Sequence, residues 1–155
     1  MSELPPSIAE FLASRRIAVA GVSRQGSQPA NAIFRRLRDT GHDVVPVNPR
    51  ADTVEGVTCF ASLDAVPGEI DGLVVASPPG TALALVEQAA ARGVRSVWFH
   101  RSFGQGSVDE RAAELCRARG LGCIVGGCPL MFCGRVDVVH RCMRWWLQRS
   151  GRVPR

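Results

Sequence analysis

The first segment that suggests chemistry is a Gly/Ser loop after an apolar run, in "IAVAGVSRQGSQPAN" over residues 17 to 31. Compared with the phosphate-binding pattern G-x-G-x-x-G, it supplies Gly21, Ser23 and Gly26, so only the middle glycine is replaced. A helix that begins near Pro29 would point its free N–H groups and positive dipole end at this loop. The segment predicts either a phosphate site or a plain strand-to-helix turn without a ligand.

Two side chains of this loop depart from a dinucleotide site. Gly21 permits a tight exit from the strand, whereas the Cβ atom of Ser23 impedes the close approach of a pyrophosphate. Ser23 offers a hydroxyl donor instead, and Arg24 adds a guanidinium that can bind a phosphate. The loop is therefore compatible with phosphate but does not match the dinucleotide fingerprint.

The end of the second predicted strand, "VPVNPRAD", gives an independent indication of the nucleotide. Enzymes that use NAD usually place Asp or Glu here to hold the ribose diol. This chain has Asn48, Pro49 and Arg50, and an asparagine and an arginine would accept a phosphorylated ribose. The position argues against NAD and leaves NADP and coenzyme A, with a solvated Arg50 as the alternative without a ligand.

Three further loops supply candidate ligand contacts. In "ASPPGTA", Ser77 and Pro78 lie in a stiff loop that either forms a wall for an adenine or merely starts a helix. His100 is the only histidine predicted at the ligand face, where it would orient a ligand or donate a hydrogen bond. Cys128 follows two glycines after the fifth strand, so its thiol either meets the far end of the ligand or is an idle loop residue. No cysteines have the close spacing of a zinc site, so no metal is predicted, and no motif assigns a catalytic residue.

These loops need a scaffold of alternating strands and helices. Strands are predicted in "RRIAVAGV", "HDVVPVN", "DGLVVAS", "VRSVWFH" and "LGCIVG", with helices between them and Ser107 as an N-cap. This order predicts an α/β fold, a doubly wound parallel sheet of about five strands with helices on both faces. Ligands of such sheets bind outside the carboxyl ends of the strands, where the loops named above lie.

A C-terminal helix is predicted over about residues 135–149. Its apolar positions form one helical stripe that would cover the sheet, with Trp145 off the stripe as a dimer contact or partner surface in the alternative interpretation. The predicted stripe consists of Val136, Val139, Met143, Trp146 and Leu147.

Composition favours one compact domain over residues 1–155 with an anionic ligand. Apolar residues make up 46% of the 155 residues, the formal net charge is +5, and all 19 basic residues are arginine. Nucleic acid is disfavoured because the arginines are scattered and tyrosine is absent. No signal peptide or apolar run of about 18 residues is present, so we expect a cytoplasmic protein that does not bind a membrane, with reduced cysteines.

Together the motifs resemble the CoA-binding domain family, which includes small stand-alone proteins and the N-terminal domain of the succinyl-CoA synthetase alpha subunit. The resemblance covers roughly residues 15 to 130, through "VAGVSRQGSQPAN", "GHDVVPVNPRAD", "EGVTCFASLDAVP", "DGLVVASPP", "GVRSVWFH" and "GLGCIVGGCP". It implies a Rossmann-like fold that binds CoA. The contacts that it implies are Gly21, Val22, Ser23 and Arg24 around phosphate, Asn48, Pro49 and Arg50 along the ribose-phosphate end, Ser77 and Pro78 beside the nucleotide, and His100 at the fourth strand.

The resulting functional hypothesis is a CoA or acyl-CoA binding protein without catalysis of its own, acting as a carrier, a sensor or a regulatory partner. The catalytic histidine of the synthetase lies in a second domain, which argues against ligase activity by this chain alone. A homodimer or a larger enzyme is the expected partner. The alternatives are an NADP-dependent oxidoreductase and a nucleotide-sensing transcriptional regulator.

Overall fold

A computed structural model describes residues 4–101 and 104–152 of the chain. Its strands are β1 (Arg16–Ala20), β2 (Asp43–Val47), β3 (Thr53–Val54), β4 (Val57–Thr58), β5 (Gly72–Val75), β6 (Ser96–Phe99) and β7 (Gly122–Val125). Its helices are α1 (Pro6–Leu12), α2 (Pro29–Asp39), α3 (Ala82–Ala91), α4 (Glu110–Ala118) and α5 (Val138–Arg149). Short 3-10 turns lie at Leu63–Ala65, Pro79–Thr81 and Pro129–Met131.

The predicted parallel sheet is confirmed, with five strands in the order β2-β1-β5-β6-β7. Every pairing in it is parallel, and β1 lies between β2 and β5, with Ala20 opposite Val47 on one side and Val75 on the other. The connection from β2 to β5 has little clear periodicity in sequence, yet it contains the antiparallel β3–β4 hairpin and a 3-10 turn. These elements are two or three residues long, too short to show a period in sequence.

Alternating side chains of the strands build an apolar layer on each face of the sheet. In β1, Ala18 and Ala20 belong to the layer under α3 and α4, whereas Ile17 and Val19 belong to the layer under α1 and α2. This alternation is the two-residue period of a strand that is buried on both faces. In the second layer the Phe11 ring of α1 meets Trp98 edge-on, with ring centroids 5.4 Å apart.

The N-cap of α4 differs from the sequence-based expectation. The N-cap of α4 is Asp109, whose carboxylate accepts a hydrogen bond from the Ala112 N–H at 3.0 Å, and not Ser107. Ser107 is buried, and its N–H donates to the His100 carbonyl, so it closes the preceding loop instead. Both residue types cap helices well, so spacing alone could not choose between them.

The predicted covering stripe of the C-terminal helix is wrong in part. Met143 and Leu147 do pack against the second apolar layer, but Val139 and Trp146 are exposed, and no residue of α5 is fully buried. α5 lies against the short turn at Pro129–Met131, at the edge of the molecule. A turn of three residues is too small to cover a wide helix face. Within the described residues no helix has the length and apolar character needed to cross a membrane.

Candidate functional site

The sheet order creates a cleft beside β1. The chain leaves β1 toward β2 on one side, and later returns on the other side as β5, so the loops after β1 and β5 diverge. Such a switch point is where open α/β sheets bind their ligands. A cleft of about 710 Å³ opens here. It is lined by Ala20, Gly21, Ser23, Gln28, Val47, Asn48, Pro49, Arg50, Ala61, Ser62, Ala76, Ser77, Pro78, Thr81, Ala84, Leu85 and Gln88.

The floor of the cleft depends on Gly21. Its φ of +103° lies in a region that side-chain-bearing residues rarely adopt. A Cβ atom at this position would stand 2.7 Å from the Ala76 carbonyl oxygen, because the loop after β1 passes directly over the end of β5. The absence of a side chain therefore lets the backbone at Gly21 pass close to Ala76 at the floor of the cleft.

The next part of this loop is held by Asn31, a buried polar residue in the first turns of α2. The Ser23 N–H donates to Asn31 Oδ1 at 2.9 Å, and Asn31 Nδ2 donates to the Ser23 carbonyl at 2.7 Å. Asn31 Nδ2 also donates to Glu55 Oε1 at 2.7 Å, and the Arg35 guanidinium pairs with the same oxygen at 2.6 Å. The buried side-chain amide of Asn31 thus connects the loop after β1, helix α2 and the β3–β4 hairpin.

Sequence reasoning missed Asn31 and Glu55. An asparagine within an apolar-periodic helix carries no signal that it faces inward. Glu55 sits in the hairpin turn at a φ of +50°, and the hairpin itself was not predicted.

Asn48 links the ends of β1 and β2. Its Nδ2 atom donates to the Val22 carbonyl at 2.9 Å, and its Oδ1 atom accepts from the Arg50 N–H at 2.9 Å. The second bond closes a local turn of the kind that asparagine favours. The exposed Arg50 is thereby carried to the cleft, and among the lining residues it is the one with a charge.

The opposite wall comes from the loop after β5 and from α3. The Ser77 and Thr81 hydroxyls hydrogen-bond at 2.7 Å, and Thr81 Oγ1 donates to the Pro78 carbonyl at 2.7 Å, which makes the turn rigid. The side chain of Gln88, another lining residue, accepts a hydrogen bond from the Leu63 N–H. This bond connects α3 to the 3-10 turn Leu63–Ala65. The lining residues absent from the sequence prediction come from the ends of β1 and β2, the loops after β4 and β5, the residue before α2, and α3.

Four predicted contacts do not line this cleft. Val22 is fully buried in the second apolar layer, and Arg24 is exposed outside the cleft. His100, at the end of β6, is 9% exposed; burial lowers the pKa of its imidazole, and nearby His140 lowers it further. Cys128 is 2% exposed and packs in the second apolar layer.

The position of Cys128 corrects the expectation of a thiol open to a ligand. Its backbone is extended, as is usual for a residue before proline, and Pro129 then starts a 3-10 turn. This turn folds the segment onto the sheet, and the thiol is enclosed with Leu130 and Met131. In the part of the chain that the structure describes, no group of three or more His, Cys, Asp or Glu side chains could hold a metal ion.

The lining can bind an anionic nucleotide. Hydroxyls from three loops and one guanidinium surround a mostly apolar groove. Neither carboxylate, imidazole nor thiol is found among the described lining residues. Hydrogen-bond donors without acidic neighbours suit phosphate and do not suit a bare ribose diol.

Comparisons with known proteins agree with this geometry. A family model described as CoA binding domain matches residues 15–133. The protein YneT of Bacillus subtilis is 28% identical over 115 residues, which are 74% of this chain and 82% of YneT. "Acetate--CoA ligase [ADP-forming] II" of Archaeoglobus fulgidus is 27% identical over 111 residues, which are 70% of this chain but 16% of the ligase.

A solved structure gives the same result for the fold. The crystal structure of "Prb (PH1109 protein redesigned for binding)" superimposes with a TM-score of 0.76 and 26% identity, over 97% of this chain and 96% of that one. The chain belongs to the CoA binding domain family, and it is similar to the N-terminal CoA-binding part of ADP-forming acetyl-CoA synthetases.

Proposed function

We propose that this chain binds CoA or acyl-CoA in the cleft between β1, β2 and β5, and that it does so without catalysis of its own. The observation that carries the proposal is the end of β2, where Asn48 and Arg50 occupy the place of the carboxylate that an NAD site would use. An amide and a guanidinium favour a ribose that bears a phosphate. CoA has such a ribose, and the family is one of CoA binding domains.

The proposed ligand pose follows from the chemistry of the lining. The phosphorylated ribose contacts Asn48, Pro49 and Arg50, and the pyrophosphate lies over Gly21 and Ser23 at the start of α2. Ser77 and Pro78 flank the nucleotide from the other side. In this pose Arg24, Val22, His100 and Cys128 make no direct contact within the cleft.

A binding role without chemistry is supported by the described lining, which offers no carboxylate, imidazole or thiol that could act as an acid or base or activate a hydroxyl. This chain corresponds to only a small fraction of the A. fulgidus ligase, so the proposed function does not include ligase activity. We infer a carrier, sensor or regulatory role, with a larger enzyme as the partner that would use or receive the CoA.

The test is native mass spectrometry of the purified chain, followed by calorimetric titration with CoA, acetyl-CoA, NADP and NADPH. We expect one CoA per chain and no comparable affinity for NADP. A preference for NADP or NADPH would overturn the CoA proposal and revive the oxidoreductase alternative, to which the comparisons lend no support. Steeply salt-dependent binding to duplex DNA would instead support the regulator alternative.

A further inference from the structure

The outward face of α5 is the most exposed apolar surface in the described part of the chain. Four of the five exposed large apolar side chains lie on this helix: Val138 is 63% exposed, Val139 66%, Trp145 57% and Trp146 54%. The fifth, Val57, lies on the β3–β4 hairpin. Contiguous exposed apolar patches of this kind mark interaction sites in soluble proteins.

Helix geometry gathers these side chains on one side. Met143 and Leu147 face the second apolar layer, and at 100° per residue the exposed apolar side chains occupy a neighbouring arc of about 120° that is centred near the exposed Cys142. Trp145 and Trp146 flank that centre on the outer surface. We call the set Val138, Val139, Cys142, Trp145 and Trp146 the outer face.

Arginines already cover the edges of the outer face. The Arg149 guanidinium lies 5.0 Å from the Trp145 ring centroid, and the Arg152 guanidinium lies 5.7 Å from that of Trp146. Tryptophan and arginine are the residue types that most often dominate the energy of protein–protein contacts. The outer face therefore has the composition of an interface core with a cationic border.

The two ends of this helix carry opposite charges, and Arg141 and Arg144 lie between them. Asp137 caps the amino end with its carboxylate half-exposed, and Arg149 and Arg152 stand at the carboxyl end. A second copy turned end for end brings Asp137 of each copy toward the arginines of the other. Antiparallel helices also pair the positive end of one dipole with the negative end of the other.

We propose that the outer face of α5 is a homodimer contact, in which two copies of this helix pack antiparallel about a twofold axis near Cys142. Such an interface is isologous, so one apolar patch on each copy satisfies both. Twelve helical residues span only about 18 Å, which gives a small interface and a weak, concentration-dependent dimer. No described residue of α5 lines the cleft, so pairing leaves the ligand site open.

The first experiment is sedimentation equilibrium of the full chain over micromolar concentrations. We expect the mass to rise from that of one chain, 16.6 kDa, toward twice that value as concentration increases. Trp145→Ala and Trp146→Ala should each weaken association by about 30-fold or more, the effect of losing an interface hot spot. Val57→Ala removes an exposed apolar group away from α5 and should leave association unchanged.

The second experiment locates the axis. A short bis-maleimide should join Cys142 to Cys142 of a second copy, and Cys142→Ser should abolish the crosslinked dimer. The other five cysteines are buried or half-buried, so they should contribute little crosslinking.

Three results would overturn the proposal. One is a chain that stays monomeric at all these concentrations, and another is a dimer that persists in both tryptophan variants. The third is a monomer that co-sediments with phosphatidylserine-containing vesicles in a Trp145-dependent way, which would assign the outer face to a membrane surface. Circular dichroism of each variant excludes loss of the fold as the cause.

Discussion

Arg50 is the residue on which the proposed ligand depends most directly. Its backbone is fixed by Asn48, and its side chain lines the cleft while remaining exposed to solvent. Charged hydrogen bonds contribute about 1.5–3 kcal/mol, and exposure puts this one at the lower end. We expect Arg50→Ala to weaken CoA binding roughly tenfold and to leave dephospho-CoA, which lacks the ribose phosphate, almost unaffected.

Calorimetry with both ligands measures this difference, and Arg111→Ala on the exposed side of α4 is the matched control. Equal losses for the two ligands would place Arg50 away from the ribose phosphate.

Gly21 gives a prediction about the backbone. Alanine there must adopt a φ near +103° and bring its Cβ to 2.7 Å from the Ala76 oxygen, so Gly21→Ala should destabilise the fold by about 2 kcal/mol or more. Gly80 lies in the 3-10 turn Pro79–Thr81, next to the lining residue Thr81, with no atom within 4 Å of the position that a Cβ would take. Gly80→Ala should change stability by less than about 0.5 kcal/mol in the same urea unfolding experiment. Similar losses in both variants would mean that the loop after β1 can relax.

His100 makes stability depend on pH. Because burial lowers the pKa of its imidazole in the folded protein, the unfolded chain binds the proton first as pH falls below about 6.5. Stability is fully present above that pH and declines as pH falls toward the folded-state pKa, by at most about 1.4 kcal/mol per pH unit. His100→Gln should flatten this decline in urea unfolding measured between pH 7.5 and 5. An unchanged slope would assign the pH dependence to other groups.

At the scale of single residues, sequence patterns found several side chains that line the cleft and missed those that hold them in position. Asn48 and Arg50 followed from the expected position of an acidic residue at a strand end. Asn31 could not be found, because its role depends on the Ser23 backbone and on Glu55, which is 24 residues away. The sequence locates Cys128 at the end of the fifth strand, where a ligand is expected, but it does not indicate the turn that buries the thiol.

At the scale of elements, α2 and the β3–β4 hairpin position the loop after β1 through the hydrogen bonds of Asn31. Asn31→Ala removes the partners of the Ser23 N–H and carbonyl, and a buried group left without its hydrogen bond costs about 1–3 kcal/mol. We expect lower stability in urea and weaker CoA binding, because the released loop carries Ser23 at the cleft.

Arg35→Ala is the control for this prediction. It breaks the ion pair with Glu55 and the hydrogen bond to the Gly26 carbonyl, but it leaves both bonds between Asn31 and Ser23 in place. The Arg35 side chain is 40% exposed, so its loss should cost less than about 1 kcal/mol and leave CoA affinity unchanged. If Arg35→Ala weakens CoA as strongly as Asn31→Ala does, the hairpin and not the amide positions the loop.

Long periodic elements were predictable and short ones were not. α2 begins at Pro29 as predicted, and its apolar positions repeat over three turns. β3 and β4 have two residues each, and they are defined only by their pairing with one another. For α5 the period correctly predicted a helix, but exposure depends on what lies beneath it, and that information is absent from the helix sequence.

At the scale of the whole molecule, alternating strands and helices predicted the parallel sheet and the edge at which a ligand binds. The order β2-β1-β5-β6-β7 was not predicted, because strand order depends on pairings between residues far apart in the chain. This order determines where the cleft lies. It puts the loops after β1, β2 and β5 together and leaves His100 and Cys128 over β6 and β7, on the other part of the same edge.

A ligand that bridges three strand ends should stabilise the entire fold, because the unfolded chain has no cleft. At a free CoA concentration 100 times its Kd, the gain is about 2.7 kcal/mol. For a chain of this length, each kcal/mol raises the Tm by about 2–4 °C, so CoA should raise it by roughly 5–10 °C. NADP at the same concentration should give a smaller rise, since the family to which this chain belongs is one of CoA binding domains. Differential scanning fluorimetry with matched ligand concentrations measures both shifts, and a larger rise with NADP would contradict the proposed ligand.

The Gly80→Ala variant should retain the CoA shift, whereas Arg50→Ala should lose about half of it, because a tenfold weaker site lowers the gain by about 1.4 kcal/mol.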